Sequence, residues 1–192
     1  TGWDTSKVTN MAMLFQSNRA ATELDLSKWD MSNVTTTASM FQDCQNLTTV
    51  NATGWDLSND TNFNQMFLEC YKLTEIKGIS EWDTSKVTNF AMVFYRCRAL
   101  EYVDVTKWDV GNGEVFNSMF ATTDKLVLNK TDLKNWDMRN AVRINHMFYG
   151  ALSIQELDLG GWNMPKLITT THMFADCTSL KSVSFDDWNT PS

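Results

Sequence analysis

Residues 29–52 read WDMSNVTTTASMFQDCQNLTTVNA, and the landmarks of this stretch return along the whole 192-residue chain. Trp29 belongs to a series of eight, Trp3, Trp29, Trp55, Trp82, Trp108, Trp136, Trp162 and Trp188, spaced 26 to 28 residues apart. A phenylalanine follows each of the first seven twelve residues on: Phe15, Phe41, Phe67, Phe94, Phe120, Phe148 and Phe174. The register therefore never slips inside that half of the unit. Periods of 20 to 50 residues mark stacked supersecondary units, each unable to bury its apolar face alone. Residues 1–192 are thus expected to form a single solenoid domain of about seven repeats around one continuous core. Both ends cut a repeat in the middle, so the chain reads as an excerpt of a longer array.

The other half of the unit carries the spacing L-x-x-L-x-L-x-x-W. It is seen in Leu47, Val50, Ala52 and Trp55, again in Leu100, Val103, Val105 and Trp108, and later in Ile154, Leu157, Leu159 and Trp162. Alternation of the last two apolar positions predicts a short strand with one face inward, leaving Asp25, Asn51, Asp104, Asp158 and Ser184 toward solvent. Such strands should stack as a parallel sheet about 4.8 Å apart. After the Trp, Asp-x-Ser precedes apolar residues at helical spacing, as in Val8, Met11, Leu14 and Phe15. Asp and Ser ahead of such a stripe are natural N-caps, so a short helix is expected after each Trp. Extra residues fall only between a Phe and the next Trp, near residues 76–81 and 128–134, and predict bulged loops suited to special contacts.

A formal charge of -7 argues against nucleic acid and anionic membrane, because both need a clustered basic face. No apolar run approaches a membrane span, so direct membrane insertion is not expected either.

The combination of L-x-x-L-x-L, W-D-x-S-x-V-T and M-F-x-x-C, nearly complete at Trp29–Thr35 and Met40–Cys44, resembles the BspA-type leucine-rich repeats of bacterial surface proteins. The resemblance spans the chain, with departures where Gly111, Gly113 and Glu114 replace Ser, Val and Thr, and where Asn163 and Asn189 follow Trp. It implies an α/β repeat solenoid, a leucine-rich-repeat-like right-handed coil with one short parallel strand and one short helix per roughly 26-residue repeat. It also implies an extracellular, non-enzymatic adhesion or protein-binding module on a bacterial cell surface. The competing reading is a passive structural stalk within a larger surface protein. No binding residue carries over, since the motif is scaffold.

Several ladders invite chemical readings. Cys44, Cys70, Cys97 and Cys177 share one phase, three residues after the Phe, and read as a packed thiol ladder in preference to disulfides. Asp4, Asp30, Asp56, Asp83, Asp109 and Asp137 read as caps, with calcium between coils as the weaker alternative. His146 and His172 share a phase and read as an exposed pair touching across neighbouring units. The tryptophans keep phase with the core and read as packing, not as a sugar-stacking comb. Five N-x-[ST] sequons, at Asn33, Asn46, Asn51, Asn59 and Asn129, follow from a Thr- and Asn-rich composition. No nucleophile keeps phase with the histidines, so no catalytic residue, cofactor or metal is expected.

With scaffold set aside, variable solvent-facing positions remain on the strands. Glu23, Asp25, Asn51, Glu75, Lys77, Tyr102, Asp104, Glu156 and Asp158 form a mainly acidic strip, joined by Thr49. Solenoids recognise partners on such extended surfaces, so this strip is the expected contact for a host, neighbouring-cell or extracellular-matrix protein. The array itself is expected to be monomeric. Coil-to-coil variation on this face favours binding over a stalk, which has no reason to diversify there.

Overall fold

The structure, a computed structural model, describes residues 2–190. Five three-residue strands occur: β1 Glu23–Asp25, β2 Thr49–Asn51, β3 Glu75–Lys77, β4 Glu156–Asp158 and β5 Ser182–Ser184. Each lies where the apolar alternation placed it. Leu24, Val50 and Ile76 are register partners across β1, β2 and β3, as are Leu157 and Val183 across β4 and β5, and all pairings are parallel. These middle residues turn inward, while Glu23, Glu75, Glu156 and Ser182 stay exposed.

The sheet is not continuous, contrary to expectation. It divides into a three-stranded β1-β2-β3 and a two-stranded β4-β5 sheet, and residues 101–105 form no strand although Val103 and Val105 are buried. The break follows the first inserted residue. Gly78 adopts a left-handed conformation at φ 86°, and a Cβ there would lie 2.7 Å from the Cα of Thr53. Only glycine permits that approach to the preceding coil. A 3-10 turn at Ile79–Glu81 then takes up the extra residue.

The expected helices are absent: among the described residues the turn at Ile79–Glu81 is the only helix of any kind. The Met-Phe arm is instead a row of overlapping turns. The N–H groups of Ser39, Phe41 and Asp43 donate to the carbonyls of Asn64, Met66 and Leu68 in the next coil, while those of Met40, Gln42 and Cys44 close turns onto Thr37, Ser39 and Phe41. An α-helix would spend every N–H within its own coil. Splitting them lets half bind coils together, so the arm becomes a ladder. Sustaining that alternation requires left-handed residues four apart, such as Ser39 (φ 57°) and Asp43 (φ 60°), then Gln65 and Glu69, then Met92 and Arg96. Each costs about 1 kcal/mol or more in a non-glycine residue, offset by inter-coil hydrogen bonds. Single bridges along this arm join Asn62, Asn89, Val115, Arg143 and Thr169 without interruption.

Aromatic columns fill the interior. Phe41 and Phe67 stack at 5.2 Å, and the column runs from Phe15 to Phe174 with every neighbouring pair within 6.0 Å. The packing reading of the tryptophans holds for Trp55, Trp82, Trp108, Trp136 and Trp162, all buried. Their indoles also clamp coils: Trp55, Trp108, Trp136, Trp162 and Trp188 donate Nε1–H to the carbonyl three residues before the preceding Trp. Trp3, flanked on one side only, is 64% exposed. The cysteines are free, and each thiol donates to a carbonyl of the preceding coil, Cys44 to Phe15, Cys70 to Phe41, Cys97 to Phe67 and Cys177 to Phe148. The thiol ladder is therefore a line of hydrogen bonds as well as packing.

Candidate functional site

The strand strip contains two kinds of acidic residue. The first kind closes turns. Asp25 accepts from the Ser27 N–H and the Asn51 amide, Asp104 from the N–H and hydroxyl of Thr106, and Asp158 from the Gly160 N–H and Lys134 Nζ. Asn51 plays the same part toward the N–H and hydroxyl of Thr53. A side-chain oxygen bonded two residues ahead reproduces a backbone turn. The hydrogen bond to Ser27 holds the Asp25 carboxyl below its ordinary range, and Lys134 does so for Asp158. Asp158 corrects the sequence reading: it is only 9% exposed and ends its strand, with no free face toward solvent.

The second kind, together with the basic Lys77, is free to meet a partner. Glu23, Glu75, Lys77 and Glu156 are exposed. Glu75 lies 3.8 Å from Lys77 and Glu156 lies 3.5 Å from Lys130, surface pairs worth about 0–1 kcal/mol that another charge readily displaces. Tyr102 is 45% exposed, in the segment that left the sheet. The nine candidates therefore share one side of the coils, but Tyr102 and Asp104 stand across a gap from β3.

That gap is a cleft of about 250 Å³ lined by Thr74, Glu75, Ile76, Gly78, Tyr102 and Asp104, among others. Nothing in the composition of the strip revealed it. Its signal was the extra residue before Trp82, which spaces Phe67 and Trp82 one residue wider than Phe41 and Trp55.

Elsewhere, Asp4, Asp30, Asp56, Asp83, Asp109 and Asp137 each accept the backbone N–H two residues on. They cap as expected, but cap turns where helices were foreseen. Hydrogen bonds from Ser6, Ser32 and Ser85 hold the Asp4, Asp30 and Asp83 carboxyls low. The His146 and His172 rings do stack, 5.1 Å apart, beside Tyr149 and Asp176 in a cavity of about 640 Å³. Among the described residues, no three His, Cys, Asp or Glu side chains converge in a way that could hold a metal ion. No helix there is long and apolar enough to cross a membrane.

A family model described as "Mycoplasma protein of unknown function, DUF285" matches residues 1–75 and 70–188. The chain belongs to the DUF285 family. No curated protein matches it. Among solved structures, this DUF285 chain is similar to a leucine-rich repeat protein from Bacteroides ovatus ATCC 8483, at 16% identity and a TM-score of 0.37, over 96% of this chain and 67% of that one. The two DUF285 matches overlap at residues 70–75, where β3 begins and the cleft opens.

Proposed function

We propose that this DUF285 chain is a non-enzymatic protein-binding or adhesion module of a bacterial surface protein, working outside the cell as a monomeric array. In this reading its coils form a leucine-rich-repeat-like, right-handed solenoid, and the partner is a protein of a host or neighbouring cell surface or of the extracellular matrix. The observation that carries the reading is the division of labour on the strand side. Turn-closing Asp and Asn recur in register as scaffold, whereas the position two residues earlier reads Glu23, Thr49, Glu75, Tyr102, Glu156 and Ser182, with the Glu and Tyr residues exposed. Weak contacts at several coils add through effective concentration when the array is longer. An acidic strip on a chain of charge -7 calls for a basic patch on the partner.

The test is binding to a panel of immobilised extracellular-matrix proteins, comparing wild type with the triple variant Glu23→Lys, Glu75→Lys, Glu156→Lys. These three are chosen because none closes a turn. Saturable binding that disappears in the variant, at unchanged melting temperature, supports the reading. Binding that survives the reversal places recognition elsewhere, and absence of any binding favours a passive stalk.

A further inference from the structure

The interruption of the sheet leaves an unpaired strand edge inside the stack. Glu75 donates its N–H to Thr48, the residue just before β2, so alternation along β3 turns the N–H and C=O of Ile76 to the opposite edge. In a regular coil those groups would meet the next strand. Here no backbone hydrogen bond joins residues 74–78 to residues 101–105, and the N–H groups of Ile76, Gly78, Tyr102 and Val103 donate to no backbone carbonyl. Neighbouring interfaces keep such links, as in Leu26 to Asn51, Ala52 to Lys77, Val127 to Glu101 and Asp158 to Lys130. The same distortion orphans Trp82. By the rule of the other indoles its Nε1–H should reach the Ala52 carbonyl, yet it has no partner.

The spacing cannot simply close, because the Met-Phe arm holds these two coils together. Phe63, Gln65, Phe67 and Glu69 donate to Asn89, Ala91, Val93 and Tyr95 across the same interface. The coils are held together on the Met-Phe arm and again at either end of the cleft, where Ala99 donates to the Tyr71 carbonyl and the Trp108 indole to that of Ile79, so they part only between residues 74–78 and 101–105. Buried or half-buried backbone groups without partners are costly and are met by water or by a ligand that supplies the missing strand.

We propose that this edge takes a short extended peptide of a partner protein, with basic side chains, by β-strand addition. The proposal rests on the partner-binding reading above and gives it a chemistry. Three residues of extended chain, at roughly 3.3 Å each, match the length of β3. The peptide accepts from the N–H groups of Ile76 and Gly78 and donates to the Ile76 carbonyl. Glu75 and Asp104 flank the cleft and attract Lys or Arg on alternate positions, and exposed Tyr102 covers the apolar face between them.

The experiment uses acetyl-Lys-Val-Lys-Val-Lys-amide as probe on the whole chain, followed by amide NMR and hydrogen exchange. Shifts are expected at Ile76, Gly78 and Val103, with slower exchange of the Ile76 and Gly78 amides. A strand uses alternate N–H groups, so N-methylating one alternate set should weaken binding about tenfold or more, the scale of a lost hydrogen bond, while the other set is tolerated. Replacing the lysines with glutamates should also weaken it. No binding, shifts mapping to another face, or indifference to both methylation patterns overturns the proposal, as does pairing of β3 with a second copy of this chain. The two readings fail separately. If matrix-protein binding is lost in the charge-reversed variant while the peptide ignores methylation, the strip stands and the strand edge falls.

Discussion

The hydroxyl of Thr37 donates to the carboxylate of Asp60 over 2.7 Å, in the interior between two coils. Asp60 stands in a column otherwise made of Val8, Val34, Val87, Gly113, Ala141 and Leu167, and is fully buried. Burial pushes its carboxyl up to about 6, against an ordinary value of 3.8.

A raised acid favours the protonated native state. Between about pH 4 and 6 the folded protein holds a proton that the unfolded chain has released, so this group makes stability fall as pH rises through that window. The loss is roughly 3 kcal/mol, complete above pH 6. Asp60→Asn removes it while keeping a partner for Thr37, whose hydroxyl can accept as well as donate. Urea titrations at pH 4.5 and 7.5 should show the variant more stable than wild type at the higher pH and nearly equal at the lower. Equal stability at both would mean that the carboxylate is solvated.

Thr122 sits in the left-handed region at φ 57°, where the next coil has Gly150 at φ 62°. A β-branched side chain is poorly suited to that conformation. Thr122→Asn is expected to raise stability by about 1 kcal/mol. A lower melting temperature would show that the threonine makes a compensating contact.

Trp55 and Trp82 occupy equivalent buried positions, but Trp55 donates to Leu26 at 2.9 Å and Trp82 donates to nothing. Both lose similar volume on truncation to Phe. Trp55→Phe should therefore cost about 1–3 kcal/mol more than Trp82→Phe, since only the former sacrifices a hydrogen bond. Equal costs would imply an acceptor for Trp82.

The period of the fold was legible because large rings cannot drift out of register in a stacked core, and Trp29, Phe41 and Val50 marked it plainly. The turns after each Trp were not. Val8, Met11 and Phe15 face the core at spacings that a helix and a chain alternating right- and left-handed residues share, whereas Leu14, on the same helical stripe, is exposed. Spacing alone cannot separate them, and the left-handed positions on this arm are Met, Ser, Asp, Gln, Glu, Arg, Thr and His, with Gly150 as the one glycine to announce them. The strip was half legible. Asp25-x-Ser27, Asn51-x-Thr53 and Asp104-x-Thr106 repeat the turn-closing pattern already recognised after the Trp, and that pattern separates scaffold from free charge. The sheet break was visible only as one extra residue, because its cause is a contact between Gly78 and Thr53 of different coils.

Burial raises all four thiols, that of Cys44 to about 11, by disfavouring the thiolate. At pH 8 a thiol reagent should label half-buried Cys177 first and reach Cys44, Cys70 and Cys97 only on unfolding. Rapid labelling of all four in the native protein would contradict the ladder of thiol-to-carbonyl bonds.

Amide hydrogen exchange tests most directly whether the coils are locked on the Met-Phe arm and open between β3 and residues 101–105. The amides of Phe41, Phe67, Phe94 and Phe120, each bonded to the next coil, should be among the slowest to exchange. Those of Ile76, Gly78 and Val103 should exchange far faster despite the buried side chains of Ile76 and Val103. Protection of Ile76 and Val103 equal to that of Phe67 and Phe94 would mean a continuous sheet and no open edge.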